Sequence, residues 1–158
     1  KEGHYTNSLF HRVIANFMIQ GGGLTAQYTL KPVHPPIPNE SGNGLQNVRG
    51  AVGLARTAAP HSGDAQFFVN VGNNADLDPL PTRWGYTVFG KVVEGMDVVD
   101  RISVQPTGAV ATLKSDVPLT PVVIRSIELI GAPPATTPAA PALAPVATPA
   151  EPPTPPGQ

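Results

Sequence analysis

The sequence has no cysteine among its 158 residues. That removes disulfides, thiolate metal sites and cysteine nucleophiles together, and it leaves the redox compartment open. Charge is scarce too. The 10 Lys+Arg and 11 Asp+Glu make up 13% of the chain, about half the usual share, and leave a net charge of −1. Binding nucleic acid by neutralising phosphates needs a basic excess, so no nucleic-acid partner is expected. No apolar run approaches the ~20 residues of a membrane helix, so no membrane span is expected.

Proline is what the chain has in abundance, and it is unevenly spread. Ten of the 20 prolines lie in the last 27 residues, beside eight Ala and four Thr, with Glu151 the only charge there. Proline removes backbone donors, and Leu143 and Val146 are too little apolar bulk to offset ordering entropy. Residues 132–158 are therefore expected to form a disordered, polyproline-like tail. Residues 1–131 remain for one folded domain with a modest core.

Within that domain, short apolar runs alternate with Gly, Asn and Pro clusters. Residues 9–14 and 17–20 read as strands joined at Ala15-Asn16, the second ended by Gly21-Gly22-Gly23. Residues 24–48, with four prolines, read as a long ordered loop. Residues 51–55, 66–71, 86–93 and 122–130 read as further strands. Residues 94–103 read as a helix, since Met96, Val99 and Ile102 recur on one face and Asp97 can pair with Arg101. Many short strands and little helix predict a mainly β barrel or sandwich.

The segment Phe10-His11-Arg12-Val13-Ile14-Ala15-Asn16-Phe17-Met18-Ile19-Gln20 is the densest in chemistry. Strand alternation puts Phe10, Arg12 and Ile14 on one face, with His11 and Val13 on the other. A guanidinium on an apolar face is either a snorkelling surface cation or a rigid fork of donors for a ligand oxygen or nitrogen. Phe17 and Met18 supply apolar floor, and Gln20 supplies an amide. In Ala65-Gln66-Phe67-Phe68-Val69-Asn70, the adjacent aromatics must face opposite sides, one into the core and one toward a cleft. His61-Ser62 with Asp64 has the residue types of a hydrolase triad but neither its spacing nor a nucleophile elbow. His4, His11, His34 and His61 with Asp76 and Asp78 lack metal-ligand spacing, so no metal is expected.

Four motifs follow one another in order: residues 10–22; Gln46-Asn47-Val48-Arg49-Gly50 with Leu54-Ala55-Arg56-Thr57; Gln66-Phe67-Phe68-Val69-Asn70; and Val88-Phe89-Gly90-Lys91 running on to Val99. Together they resemble a bacterial cyclophilin-type peptidyl-prolyl cis-trans isomerase, from about Tyr5 to Ile130. The resemblance implies a mainly β, cyclophilin-like closed barrel with capping helices. It implies Arg12 as the catalytic arginine and Gln20 as the glutamine near the substrate backbone. Phe17, Met18, Phe68 and Leu77 match the pocket for the proline ring. Ala55, Arg56 and Thr57 match the stretch that hydrogen-bonds the residues before the proline, with Gln66 beside it. Tyr86 matches a position held by His or Tyr, and His11 is structural. The implied partners are proline-containing peptides and unfolded or folding proteins, the implied state is a monomer, and no cofactor is needed.

Two departures stand out. The family's barrel opens with two strands and a helix before the Phe10 motif, so the chain is expected to be N-terminally truncated, lacking those elements and leaving residues 122–130 an open edge. Asp76 stands where the family usually has a large aromatic, so cyclosporin is expected to bind weakly. Trp84 is the nearest aromatic that could fill the gap. The competing expectation is a module that holds proline segments, in chaperone-like use, with little catalysis. Arg12 discriminates the two. The sequence is compatible with either the bacterial cytoplasm or the periplasm.

Overall fold

The computed structural model describes residues 3–131. The expected tail over 132–158 lies outside the described residues. The first unit of the chain, Lys1–Glu128, holds the secondary structure. Its elements are β1 (Ser8–Ile14), β2 (Met18–Thr25), β3 (Ala51–Leu54), β4 (Phe67–Asn70), a 3-10 turn (Ala75–Leu77), β5 (Val88–Lys91), α1 (Met96–Ser103), β6 (Thr107–Val110), β7 (Leu113–Pro118) and β8 (Val122–Ile124). No helix among the described residues is long and apolar enough to cross a membrane.

Six strands make one antiparallel sheet in the order β5-β3-β4-β2-β1-β8, and β6 and β7 make a separate hairpin. Strand alternation divides the apolar residues between two clusters. Val13, Ile19, Val69, Val71 and Val99 form the main core, with Phe10, Phe67, Met96 and Ile102 packed against it. Met18, Ala55 and Phe68 form the second cluster with Ile14, Phe17, Leu77 and Tyr86. Successive residues Met18 and Ile19, or Phe68 and Val69, thus serve opposite faces, as a period of two requires. The expected helix face of Met96, Val99 and Ile102 covers the main core, and Arg101 Nη1 lies 3.1 Å from Asp97 Oδ2. The helix starts at Met96, two residues later than expected, because Gly95 at φ 81 turns the chain into it.

Three expectations need correction, and one hairpin was not foreseen. Phe10 does not share a face with Ile14: it packs in the main core against Phe67, whereas Ile14 belongs to the second cluster. The register shifts between Phe10 and Arg12 in the β1–β2 ladder, and such a bulge reverses the alternation. The glycines at 21–23 do not end β2, which runs through them to Thr25. They are needed inside it: a Cβ on Gly23 would sit 2.6 Å from Gln66 Cγ. The last strand stops at Ile124 instead of Ile130. Its partner β1 begins at Ser8, which already pairs with Ile124, so later residues have no strand opposite. The hairpin β6–β7 had no sequence signal, because its turn carries Ala111 at φ 52 where Asn or Gly would mark one.

The proline-rich connection after β2 is held in place by hydrogen bonds, as expected of an ordered loop. Asn39 Nδ2 donates to Pro60 O at 3.1 Å and Gly85 O at 3.0 Å, and Asn43 Nδ2 donates to Val88 O at 2.9 Å. These bonds fasten the two segments that flank the site described next.

Candidate active site

The second apolar cluster opens to solvent as a cavity of about 80 Å³ lined by Arg12, Phe17, Met18, Gln20, Ala55, Arg56, Phe68, Leu77 and Tyr86. Nine of the eleven site residues expected from sequence therefore meet in one place. Arg12 comes from β1, Met18 and Gln20 from β2, and Phe68 from β4. Phe17 enters from the turn before β2, where Asn16 adopts φ 60, a conformation Asn tolerates better than most residues. Leu77 ends the 3-10 turn and Tyr86 precedes β5.

Phe68 is 4% exposed and meets the Tyr86 ring edge-on at 5.8 Å. It crosses β3 at Gly53, its register partner, and a Cβ there would run into the Phe68 ring. Met18, 2% exposed, closes the floor. Both polar ends of the cavity are ordered. Gln20 Nε2 donates to Gln66 Oε1 at 3.0 Å, which brings Gln66 to the site through Gln20 instead of into the lining.

Arg56 is tied to the protein along its whole fork. Its Nε donates to Gly85 O at 3.1 Å, Nη1 to Thr57 O at 2.8 Å and Nη2 to Trp84 O at 2.9 Å. Its Cζ stands 4.4 Å over the Tyr86 ring. The side chain thus fastens the Tyr86 segment to the end of β3. Thr57 is exposed and does not line the cavity: its N–H donates to Ser62 Oγ at 2.9 Å. The Ala55 N–H donates to Gln66 O at 2.9 Å.

Arg12 is half-exposed, and the nearest carboxylate is that of Asp116, with Oδ2 3.8 Å from Arg12 Nε. The sequence reading had no place for Asp116, because β7 was not recognised. His11 is buried, and its Nδ1 has no hydrogen-bond partner among the described residues; it is the extra residue of the β1 bulge, so simple alternation does not set its face. Burial pushes its imidazole below the ordinary value. The Leu9 main chain works against that shift, Arg12 adds to it, and Gln66 opposes it.

Asp76 is exposed on the 3-10 turn and does not line the cavity. Trp84 does not take the place of an aromatic there. Its ring packs edge-on against His61 at 5.1 Å and it lines a different concavity with Ser41 and Pro79. The bond from Arg83 Nη2 to Asp76 O, at 2.6 Å, holds this loop against the turn.

A polar network braces the cavity from behind. Asn70 is fully buried. Its Nδ2 donates to Asn47 Oδ1 at 3.3 Å and Ala51 O at 3.2 Å, and its Oδ1 accepts from Asn74 Nδ2 at 2.6 Å. Asn74 Nδ2 also donates to Phe17 O at 2.9 Å, and Asn47 Nδ2 donates to Asp78 Oδ1 at 2.9 Å. The network connects the turns carrying Phe17 and Leu77 to the sheet. Asparagines within loops and at strand ends are common, so composition alone did not mark them.

An apolar floor with two arginines and an amide at its edge suits a neutral peptide. It offers no nucleophile. Comparison with known proteins agrees. Residues 1–129 match the model of the family described as cyclophilin type peptidyl-prolyl cis-trans isomerase. A peptidyl-prolyl cis-trans isomerase of Streptomyces antibioticus is 50% identical over 134 residues, covering 83% of this chain and 80% of the relative. Peptidyl-prolyl cis-trans isomerase B of Escherichia coli is 49% identical over 130 residues, covering 80% and 79%. Among solved structures, a cyclophilin type isomerase of Cryptosporidium parvum, crystallised in the presence of the dipeptide Ala-Pro, superposes with a TM-score of 0.59. That likeness covers 78% of this chain and 74% of the other at 22% identity, and so bears on the fold. The motifs, the mainly β fold and half-identical relatives over most of the chain give one answer: the protein belongs to the cyclophilin-type peptidyl-prolyl cis-trans isomerases.

Proposed function

We propose that the cavity around Phe68 takes the substrate proline ring and that Arg12 is the donor that accelerates rotation about the X–Pro bond. The observation that carries this reading is that, of the two guanidiniums lining a cavity whose floor is Phe17, Met18, Phe68, Leu77 and Tyr86, Arg56 is tied to main-chain carbonyls and Arg12 is not. Rotation is slow because resonance gives the C–N bond double-bond character. In the twisted state the prolyl nitrogen recovers its lone pair and can accept a hydrogen bond, which the planar ground state cannot do as well. A donor aimed at that nitrogen therefore binds the transition state more strongly than the substrate.

The other residues orient the peptide. The apolar floor holds the ring while the preceding carbonyl swings. Gln20, held by Gln66, offers its amide to the substrate backbone. Arg56 fixes the Tyr86 wall, while its own main chain and that of Ala55 face the residues before the proline. Thr57 acts through the Ser62 bond that shapes this stretch. Raising the rate from ~0.01 s⁻¹ to ~10³ s⁻¹ requires lowering the barrier by roughly 7 kcal/mol. Oriented donors and a ring held away from water are of that scale.

The substrates are proline-containing segments of peptides and folding proteins, recognised by backbone and ring, and the enzyme acts as a monomer. Residues 1–131 carry the activity. Asp76 leaves the cavity without an aromatic rim at that position, so cyclosporin inhibits weakly. Near-stoichiometric inhibition of the purified protein would contradict this. The deciding experiment is exchange NMR on an Ala-Pro-Phe-type peptide with the protein and with Arg12→Ala. Accelerated exchange that falls by two orders of magnitude or more in the variant supports the arginine mechanism. Undiminished exchange in the variant removes Arg12 from the chemistry, and peptide binding without acceleration by the parent would favour a proline-binding module.

A further inference from the structure

We propose that Asp116, on the β6–β7 hairpin, is a positioning residue that sets the direction of the Arg12 guanidinium. The inference rests on the reading of Arg12 as the substrate-facing donor. Among the described residues, the Arg12 side chain makes no hydrogen bond and has one ionic neighbour, Asp116 Oδ2 at 3.8 Å from Nε. The closest approach is at Nε, the inner corner of the fork. A carboxylate there restrains the plane of the guanidinium while leaving the two Nη groups for a ligand. A second carboxylate–Nη pairing would instead occupy the donors that the reaction needs.

Asp116 is not held there by ordinary strand geometry. In the β6–β7 ladder Gly108 pairs with Val117 and Val110 with Leu113, so Ala109 alone faces Lys114, Ser115 and Asp116. An irregularity of this kind bends a strand and re-aims a side chain. Within it Asp116 has φ 62, in the left-handed region that L-residues other than Asn and Asp seldom occupy. A glycine would adopt this backbone without strain. The carboxylate is in turn restrained by Ser115 Oγ, which donates to the same Oδ2 at 3.1 Å. A strand irregularity that re-aims the side chain, a Ser115 bond that restrains the carboxylate, and its approach to the one guanidinium of the cavity rim that is free of main-chain bonds point together to Arg12.

The pair is partly exposed, with side chains 46% and 36% accessible, so its contribution is that of a screened ion pair. The effect is therefore modest and directional. Asp116→Asn keeps the shape and removes the charge. Asp116→Gly removes the carboxylate and relieves the backbone. Both are expected to lower kcat/KM for an Ala-Pro peptide by about two- to fivefold, the scale of a half-exposed pair. Asp116→Gly is expected to melt no earlier than Asp116→Asn, so its loss of activity is not a loss of fold. The Arg12 Nε–H resonance is expected to shift in both variants. In an Arg12→Lys background, which has no Nε–H, Asp116→Asn is expected to cause no further loss.

Parent-like kcat/KM in both Asp116 variants would overturn the proposal. So would an equal loss in the Arg12→Lys background, since the effect would then not pass through Arg12. If Arg12→Ala itself keeps the parent rate, the arginine mechanism fails and this proposal with it. An inactive Arg12→Ala beside unaffected Asp116 variants leaves the mechanism standing and removes only the positioning role.

Discussion

Asn70→Ala tests whether the buried amide network behind the cavity holds the site together. Asn70 is 0% exposed and makes three hydrogen bonds: to Asn47 Oδ1, to Ala51 O and from Asn74 Nδ2. Truncation removes all three. Asn74 Nδ2 keeps its bond to Phe17 O, and Asn47 Oδ1 loses its donor inside the protein. A net hydrogen bond contributes about 1 kcal/mol, and each buried polar group left unpaired costs ~1–3 kcal/mol. The loss expected is therefore about 3 kcal/mol, with a small cavity term added.

Urea denaturation followed by fluorescence measures this. With m near 1–3 kcal/mol/M for a domain of this size, the midpoint should fall by roughly 1–3 M. The functional consequence is separate. Asn74 loses one of its two side-chain anchors, so the turns carrying Phe17 and Leu77 loosen and KM should rise more than kcat falls. A loss of stability under about 1 kcal/mol would refute the accounting, since it would mean that water satisfies the freed groups. A large stability loss with an unchanged KM would refute the link from the network to the cavity.

Two further outcomes are expected. Gly53→Ala places a methyl against the Phe68 ring, and overpacking of this kind costs about 1–3 kcal/mol. The variant should lose peptide affinity as Phe68 is displaced, and parent-like KM and stability would show that the ring has room to move. Acid should destabilise the protein through His11. Its folded-state value lies below the unfolded one, so the native protein binds fewer protons. The penalty is absent above the unfolded value of about 6.5 and grows as pH falls beneath it, toward the lowered folded value. His11→Gln should flatten the denaturation midpoint between pH 7 and pH 5, and an identical slope in parent and variant would assign the acid sensitivity to other groups.

Most of the cavity lining was named by the family resemblance; only its strand residues Arg12, Met18, Gln20 and Phe68 could also be sorted by a period of two. Met18 and Ile19, or Phe68 and Val69, part to opposite clusters as their sequence positions require. The helix face of Met96, Val99 and Ile102 was readable for the corresponding reason at helical spacing. Motif order then named the family.

What the sequence did not contain is pairing. Where β8 stops depends on where β1 starts, since Ile124 is opposite the first residue of β1. Phe10 leaves its expected face because of a register shift that only the β1–β2 ladder reveals. The glycines of β2 look like a break in one dimension, but Gln66 and the neighbouring strand need the space they leave. Trp84 is close to Asp76 in sequence, yet the fold gives its ring to His61. Asp116 is 104 positions from Arg12 in sequence and 3.8 Å from it in space. Periodicity and composition are local properties and could be read directly. Register, close approach and the meeting of distant charges are fixed only when strands choose partners, so the tertiary structure alone decided them.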